Sequence, residues 1–290
     1  MLSRFTGSLP RLAALAGTVT VLAACASGGG TPSSSTSTSA SPLSARQTIR
    51  LAADKAQRVT SFSGTMGITL NQPAQGTVTM SGTLAEQLSP SLEAEINFST
   101  LEGGGQSLPG GLDEIVTKQA VYIKMSVLAR ALHTTKPWVK LPLSELSSLT
   151  GANLNQLFSQ AQANNPLTQT QMLTASPDVH KVGTGVIGGV PVTEYAGTYS
   201  IDKGLASLPA NVRSSLSSQI ASLGIKTSQF HVWIDGQSQV RKLTVNLTAS
   251  KLTETVTETI TSINQPVTIT LPAAGETYTI PASALPSATP

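Results

Sequence analysis

Apolar residues recur along this chain at two periods, and each change of period marks a new element. Ala45, Ile49, Ala52, Ala56 and Val59 fall at helical spacing behind Ser44 and Gln47, a capping-box pair. Arg50–Asp54 and Asp54–Arg58 stand four apart, so this stretch predicts a helix supported by two charge pairs. After Gly64 the period becomes two. Met66, Ile68 and Leu70 alternate with Thr65, Gly67 and Thr69, and a turn at Asn71-Gln72-Pro73 leads to Val78 and Met80. Leu92, Ala94, Ile96 and Phe98 alternate with Glu93, Glu95 and Asn97, and Val121, Ile123 and Met125 with Tyr122 and Lys124. Phe230, Val232 and Ile234 run through Asp235-Gly236, a hairpin signal, to Leu243, Val245 and Leu247. These are one-sided strands of an antiparallel sheet, apolar on one face and Thr-rich on the other.

Helical spacing returns twice. Leu146 and Leu149 precede Asn153, an N-cap for a turn presenting Leu154, Leu157, Phe158 and Ala161, and a short helix is predicted from Pro166 through Met172 and Leu173. Val212, Leu216, Ile220 and Leu223 form a stripe that ends at Gly224, a C-cap. A long antiparallel sheet with helices over its apolar face is an α+β arrangement. In Thr253–Pro272, Glu254 and Glu258 interrupt Leu252, Val256 and Ile260, which predicts an edge strand whose inward or rim charges discourage edge-to-edge pairing.

The two ends break the pattern. Arg4 and Arg11 precede an apolar run, Leu12 to Ala24, too short to span a bilayer comfortably. That run closes as Leu22-Ala23-Ala24-Cys25, which resembles the lipobox of bacterial lipoproteins. The resemblance implies cleavage before Cys25, a diacylglycerol on its thiol and an acyl group such as palmitate on its new amino terminus. Residues 26–42 are almost purely Ser, Thr, Gly, Ala and Pro, a flexible tether with an r.m.s. span of roughly 20–25 Å. The expected organisation is a signal peptide over 1–24, lipidated cysteine and tether over 25–43, a folded domain over 44–281 and a disordered tail over 282–290. The expected address is the extracytoplasmic face of the cell membrane, where two or three acyl chains hold more firmly than one.

Charge changes little in this picture. Lys and Arg number 18 against 15 Asp and Glu, and loss of Arg4 and Arg11 with the signal brings the mature chain near balance. No basic run points to nucleic acid. Cys25 is the single cysteine, so its lipidation leaves no thiol for disulfides or metal ligation.

Catalytic patterns read weakly. Gly183-Thr-Gly185-Val-Ile-Gly188 satisfies GxGxxG, yet a dinucleotide site needs a helix directly after it. Gly189-Val-Pro-Val-Thr reads instead as turn and strand, hence a glycine-rich hairpin. Gly103–Gly105 and Gly110-Gly111 lack the Lys-Ser/Thr of a phosphate loop. His133, His180 and His231 are too scattered to ligate a metal, and Glu93 and Glu95 share the polar face of their strand. With no Gly-x-Ser-x-Gly elbow, the chain reads as non-enzymatic, without cofactor or metal. Trp138 and Trp233 fit either a cavity mouth or docking surface, or plain packing on the sheet. Periodicity does not decide whether the core is solid or hollow. Aromatic residues make up only 4% of the chain, and the resulting small aliphatic lining suits acyl chains but packs equally well without them.

Four spaced segments carry a family resemblance: Ala120-Val-Tyr-Ile-Lys-Met125, Lys136-Pro-Trp-Val-Lys-Leu141, Gly183 to Tyr195, and His231-Val-Trp-Ile-Asp to Leu243. Their order resembles that of the actinobacterial LppX/LprG (LprAFG) lipoproteins and their LolA/LolB-like relatives, over about Ser44 to Pro272. The resemblance implies a strongly curved antiparallel β half-barrel, with helices covering a concave apolar face around a cavity for acyl chains of lipids or glycolipids. The candidate lining residues are Val121, Ile123, Leu157, Phe158, Met172, Val232, Ile234 and Val245. The expected protein is a monomeric envelope lipid carrier held to the membrane through Cys25, with a membrane transporter as a further candidate partner. The alternative is a non-catalytic interaction or sensor module of the same fold with a solid core.

Overall fold

The structure, a computed structural model, describes residues 43–280 apart from 75, 105, 108–109, 146–165 and 251. The first helix, α1 (Ala45–Ala56), begins at the expected box: Ser44 Oγ accepts the Gln47 N–H, and Gln47 Oε1 accepts the Ser44 N–H. Its buried stripe is Ile49, Ala52, Ala53 and Ala56. Arg50, Asp54 and Arg58 take no part in the three ion pairs found among the described residues, so the helix rests on its cap and its apolar stripe.

A meander follows: β1 (Ser61–Gln72), β2 (Gly76–Gln87), β3 (Glu93–Gly103), the short β4 (Gln106–Ser107), β5 (Leu112–Val116), β6 (Ala120–Lys124), the helix α2 (Ser126–Ala131) and β7 (Trp138–Pro142). Next come α3 (Pro166–Leu173), β8 (His180–Ile187), β9 (Val190–Ser200), α4 (Ile201–Ala206) and α5 (Ala210–Leu223). The chain ends with β10 (Thr227–Asp235), β11 (Val240–Ala249), β12 (Leu252–Ile263) and β13 (Thr277–Thr279). All strands form one curved, unclosed sheet in the order β13-β7-β6-β5-β3-β2-β1-β12-β11-β10-β9-β8, with β4 paired to β3. Every pairing is antiparallel except that of β13 with β7. The fold is α+β, a curved antiparallel sheet with helices against it.

The Thr253–Pro272 expectation is corrected here. β12 lies in the middle of the sheet, paired to β1 on one side and β11 on the other. Its glutamates therefore point into the molecule rather than guard an edge. The reason is topological: β12 joins the two meanders, a pairing nearly 200 residues apart in sequence that local alternation does not encode. The free edges are β8 and β13.

Two bulges, at Thr261 on β12 and Ser99 on β3, each lie opposite a glycine. The register of β1 with β12 shifts between Ser63 and Gly64, and that of β2 with β3 between Ser81 and Gly82. A Cβ on Gly64 would run into the Thr259 carbonyl, and one on Gly82 into the Asn97 carbonyl. A bulge bends its strand and strengthens the local twist, so the pair gives the sheet a sharp local turn.

The helices cover one end of the concave face. α1 packs on α3, α3 on α4 and β9, α4 on α5 and β9, and α1 also touches β8. Together they close over Phe230, Val232, Leu243 and Val245, all 4% exposed or less. Gly224, with φ +68°, follows α5 as the expected C-cap. On the convex side Ile269 packs over Ile115, Ala120 and Tyr122, which is why Tyr122, on the polar side of its strand by alternation, is buried.

Candidate functional site

Strand registers line up the concave face as parallel rows of side chains, since residues directly opposite in a ladder share a face. One row reads Ile123–Glu114–Ile96–Leu84–Gly64–Ile260 across six strands. Its neighbour reads Val121–Val116–Ala94–Glu86–Phe62–Ile263. On the other flank run Leu112–Phe98–Gly82–Met66–Glu258–Leu243–Val232 and Leu101–Met80–Ile68–Val256–Val245–Phe230. A last row holds Leu70–Glu254–Leu247–Ser228. The face is an apolar sheet with four carboxyls set into it, one in all but a single row.

Three of these carboxyls are deeply buried: Glu86, Glu114 and Glu258 are 3%, 6% and 3% exposed. Burial pushes Glu86 up to about 8 and Glu114 up to about 7. Glu258 is pushed up to about 8 by burial and by the like charge of Glu86, and burial also raises Glu254. At neutral pH Glu86 and Glu258 are therefore mostly protonated. Among the described residues Oε1 of Glu114 has no hydrogen-bond partner, while the next residue, Asp113, points to the other face and pairs with Lys124 at 2.8 Å. The sequence carried a signal for these groups, because strand alternation puts Glu86 in phase with Leu84 and Leu88, and Glu258 with Val256 and Ile260.

The sequence-derived lining residues fall in two places. Val121 and Ile123 stand on β6, in the half of the sheet reached by the end of α1 and by Leu167, with α2 against β7. Val232, Ile234, Val245 and Met172 belong to the helix-covered cluster, packed with Leu173, Leu205 and Tyr195. Five strands separate β6 from β11 along the sheet. Leu157 and Phe158, with the Asn153 cap, lie outside the described residues, as does Cys25.

The convex face holds the other candidates. Trp233 is half-buried there, stacked on His231 and under Lys242 Nζ, which lies 4.5 Å from its ring centroid. His231 Nδ1 lies 2.7 Å from Glu194 Oε1, and Trp138 carries Lys124 at 5.8 Å. Both tryptophans thus sit on the outer face, away from the concave rows. Gly183–Gly188 forms the β8–β9 hairpin, its turn made by Gly188 and Gly189 at φ +56° and +81°. The Asp235-Gly236 hairpin also forms, though Ser238 rather than Gly236 takes the left-handed conformation, while Asp235 Oδ1 accepts from the Gln237 and Gln239 N–H groups.

Two surface depressions are open and polar-rimmed. One of about 330 Å³ lies between α4 and α5 beside Asp202, Leu205 and Arg213. The other, about 460 Å³, lies over Thr65, Gly67, Thr83, Thr257 and Thr259 on the convex face. Among the described residues no three of His, Cys, Asp and Glu gather to hold a metal ion, and no helix is long and apolar enough to cross a membrane.

No protein-family profile matches this chain. An uncharacterized 31.2 kDa protein of the rplA–rplJ intergenic region of Streptomyces griseus is 30% identical over 131 residues, which span 44% of this chain and 43% of that protein. The match covers less than half the length of that relative. Among solved structures, LprF of Mycobacterium bovis is similar over 79% of this chain and 97% of its own, at 13% identity and a TM-score of 0.48. The lipoprotein LppX of Mycobacterium tuberculosis is similar over 78% and 98%, at 16% identity and a TM-score of 0.44. Both belong to the group that the four sequence segments resemble.

Proposed function

We propose that this protein holds acyl chains of lipids or glycolipids against the concave face of its sheet, outside the cytoplasm, tied to the membrane through lipidated Cys25 and the residue 26–43 tether. The observation that carries this reading is the set of apolar rows continuing from β12 to β6, beyond the helices that fill the β8–β11 end. The wall of the site is the β1–β7 half, with Val121 and Ile123 in it. Ile123, Met66, Val78 and Leu112 are only partly buried, so this half has apolar surface to offer an incoming chain. Val232, Ile234, Val245 and Met172 are already packed and would meet a ligand only if the helices moved. Each methylene withdrawn from water contributes about 0.8 kcal/mol, so a long acyl chain supplies the drive for loading without any chemical step. The tether lets the domain reach the donor membrane and carry its load away from it, and a membrane transporter is a partner suited to supply that load.

A filled β8–β11 core favours a second reading, a solid interaction module of the envelope. The full chain carrying Cys25→Ser, purified from an actinobacterial host, separates the two by native mass spectrometry and organic extraction. The carrier reading expects a stoichiometric adduct released as a defined lipid. A clean protein mass that also fails to take up added lipid sinks it. Ile123→Asp gives an independent measurement. The carrier loses its lipid with modest destabilisation, whereas a solid core unfolds around the unpaired charge.

A further inference from the structure

The inward glutamates are not what an acyl-binding wall requires. Glu114 stands between Ile96 and Ile123 in its row, and its Oε1 has no partner among the described residues. The three ion pairs among the described residues involve Asp113, Glu194 and Asp235, so neither Glu114 nor Glu258 is ion-paired among those residues. A buried carboxyl in that state costs the folded protein, and a hydrocarbon side chain of similar volume would pack there at least as well. Asp113, one residue away on the opposite face, is by contrast paired with Lys124.

A group arriving from outside would complete this arrangement, and three kinds are conceivable. A metal ion is disfavoured, because no three ligating side chains gather among the described residues. A hydroxyl would satisfy Oε1 but bring no positive charge to a carboxyl that joins no ion pair among the described residues. A protonated amine supplies both N–H donors and the missing positive charge, and the surrounding rows accept an alkyl body. We propose that the concave β1–β7 face takes a cationic amphiphile, its alkyl chain along Leu84, Ile96 and Ile123 and its protonated amine hydrogen-bonded to Oε1 of Glu114. The inference rests on the acyl-chain reading above and narrows its ligand to those bearing an amine.

The test uses the full chain carrying Cys25→Ser, stripped of bound lipid, and three probes of equal chain length kept below micellar concentration: dodecylamine, dodecanol and dodecanoate. Isothermal titration calorimetry at pH 7 should find dodecylamine bound at least ten-fold more tightly than dodecanol. Glu114→Gln keeps the size of the side chain, and it should bring that ratio close to one while leaving dodecanol affinity unchanged. Glu95→Gln, on the convex face, should leave the ratio as it is. Equal binding of amine and alcohol overturns the proposal, and so does a ratio that survives Glu114→Gln or falls equally with Glu95→Gln. In each of those outcomes dodecanol still binds, so the acyl-chain reading stands. If none of the three probes binds, both readings fall together.

Discussion

A carboxyl group in an apolar wall makes stability depend on pH in an unusual direction. Glu258 rises from an ordinary value of 4.5 to about 8, and Glu86 rises as far. At roughly 1.4 kcal/mol per pH unit, keeping such a group ionised in the fold costs up to about 5 kcal/mol, more than burying one Leu contributes. The folded state binds more protons than the unfolded chain wherever pH lies above the unfolded value. The stabilisation is therefore complete below pH 4.5 and is lost as pH climbs through about 8. Thermal melts should show Tm falling between pH 5 and 8.5, where many proteins hold level, and Glu258→Gln should flatten that slope. A wild-type Tm that stays flat or rises across the window would contradict the burial of these groups.

At the scale of elements, Gly64 and Gly82, opposite the two bulges, are points where sequence choice is narrow. Any side chain there meets a neighbouring strand's carbonyl, so relief requires the backbone itself to shift. Gly82→Ala should cost several kcal/mol by denaturant titration, against well under 1 kcal/mol for Gly67→Ala, whose added Cβ would meet nothing within 4 Å. Equal effects would mean the bulge is not needed for the bend. Much at this scale was legible in advance. The Ser44–Gln47 cap, the α5 stripe with Gly224, the hairpins at 188–189 and 235–240, and the inward phase of Val121, Ile123, Val232 and Val245 all follow from local rules. What escaped them was set by distant partners. No local rule makes β12 central, buries Tyr122 beneath Ile269, or gathers most of the described helices over the β8–β11 half. The glutamates were half legible: alternation turned Glu258 inward, but a charge in a strand reads as an edge device until its neighbours are known. Leu157 and Phe158 remain proposals, because they lie outside the described residues.

The whole molecule is two meanders, β1 to β7 and β8 to β12, sharing one sheet. Backbone between β7 and α3 joins them along the chain, and the β1–β12 ladder joins them across the sheet, from Phe62–Ile263 to Asn71–Thr253. That ladder also carries apolar side chains inward from both partners, Ile68 against Val256 and Phe62 against Ile263. Pairing so distant in sequence forms late, which makes the seam slow to assemble and, once assembled, hard to open. The consequence is that the covalent link between the meanders is dispensable for holding them together. A protease site placed between residues 150 and 160 should, after cutting, yield two fragments that co-elute as one particle and separate only in denaturant. Fragments that drift apart in native buffer would show that the peptide link, and not the seam, keeps the sheet whole. A protein of this design could be made as two pieces, brought together inside a cell to report that their carriers have met.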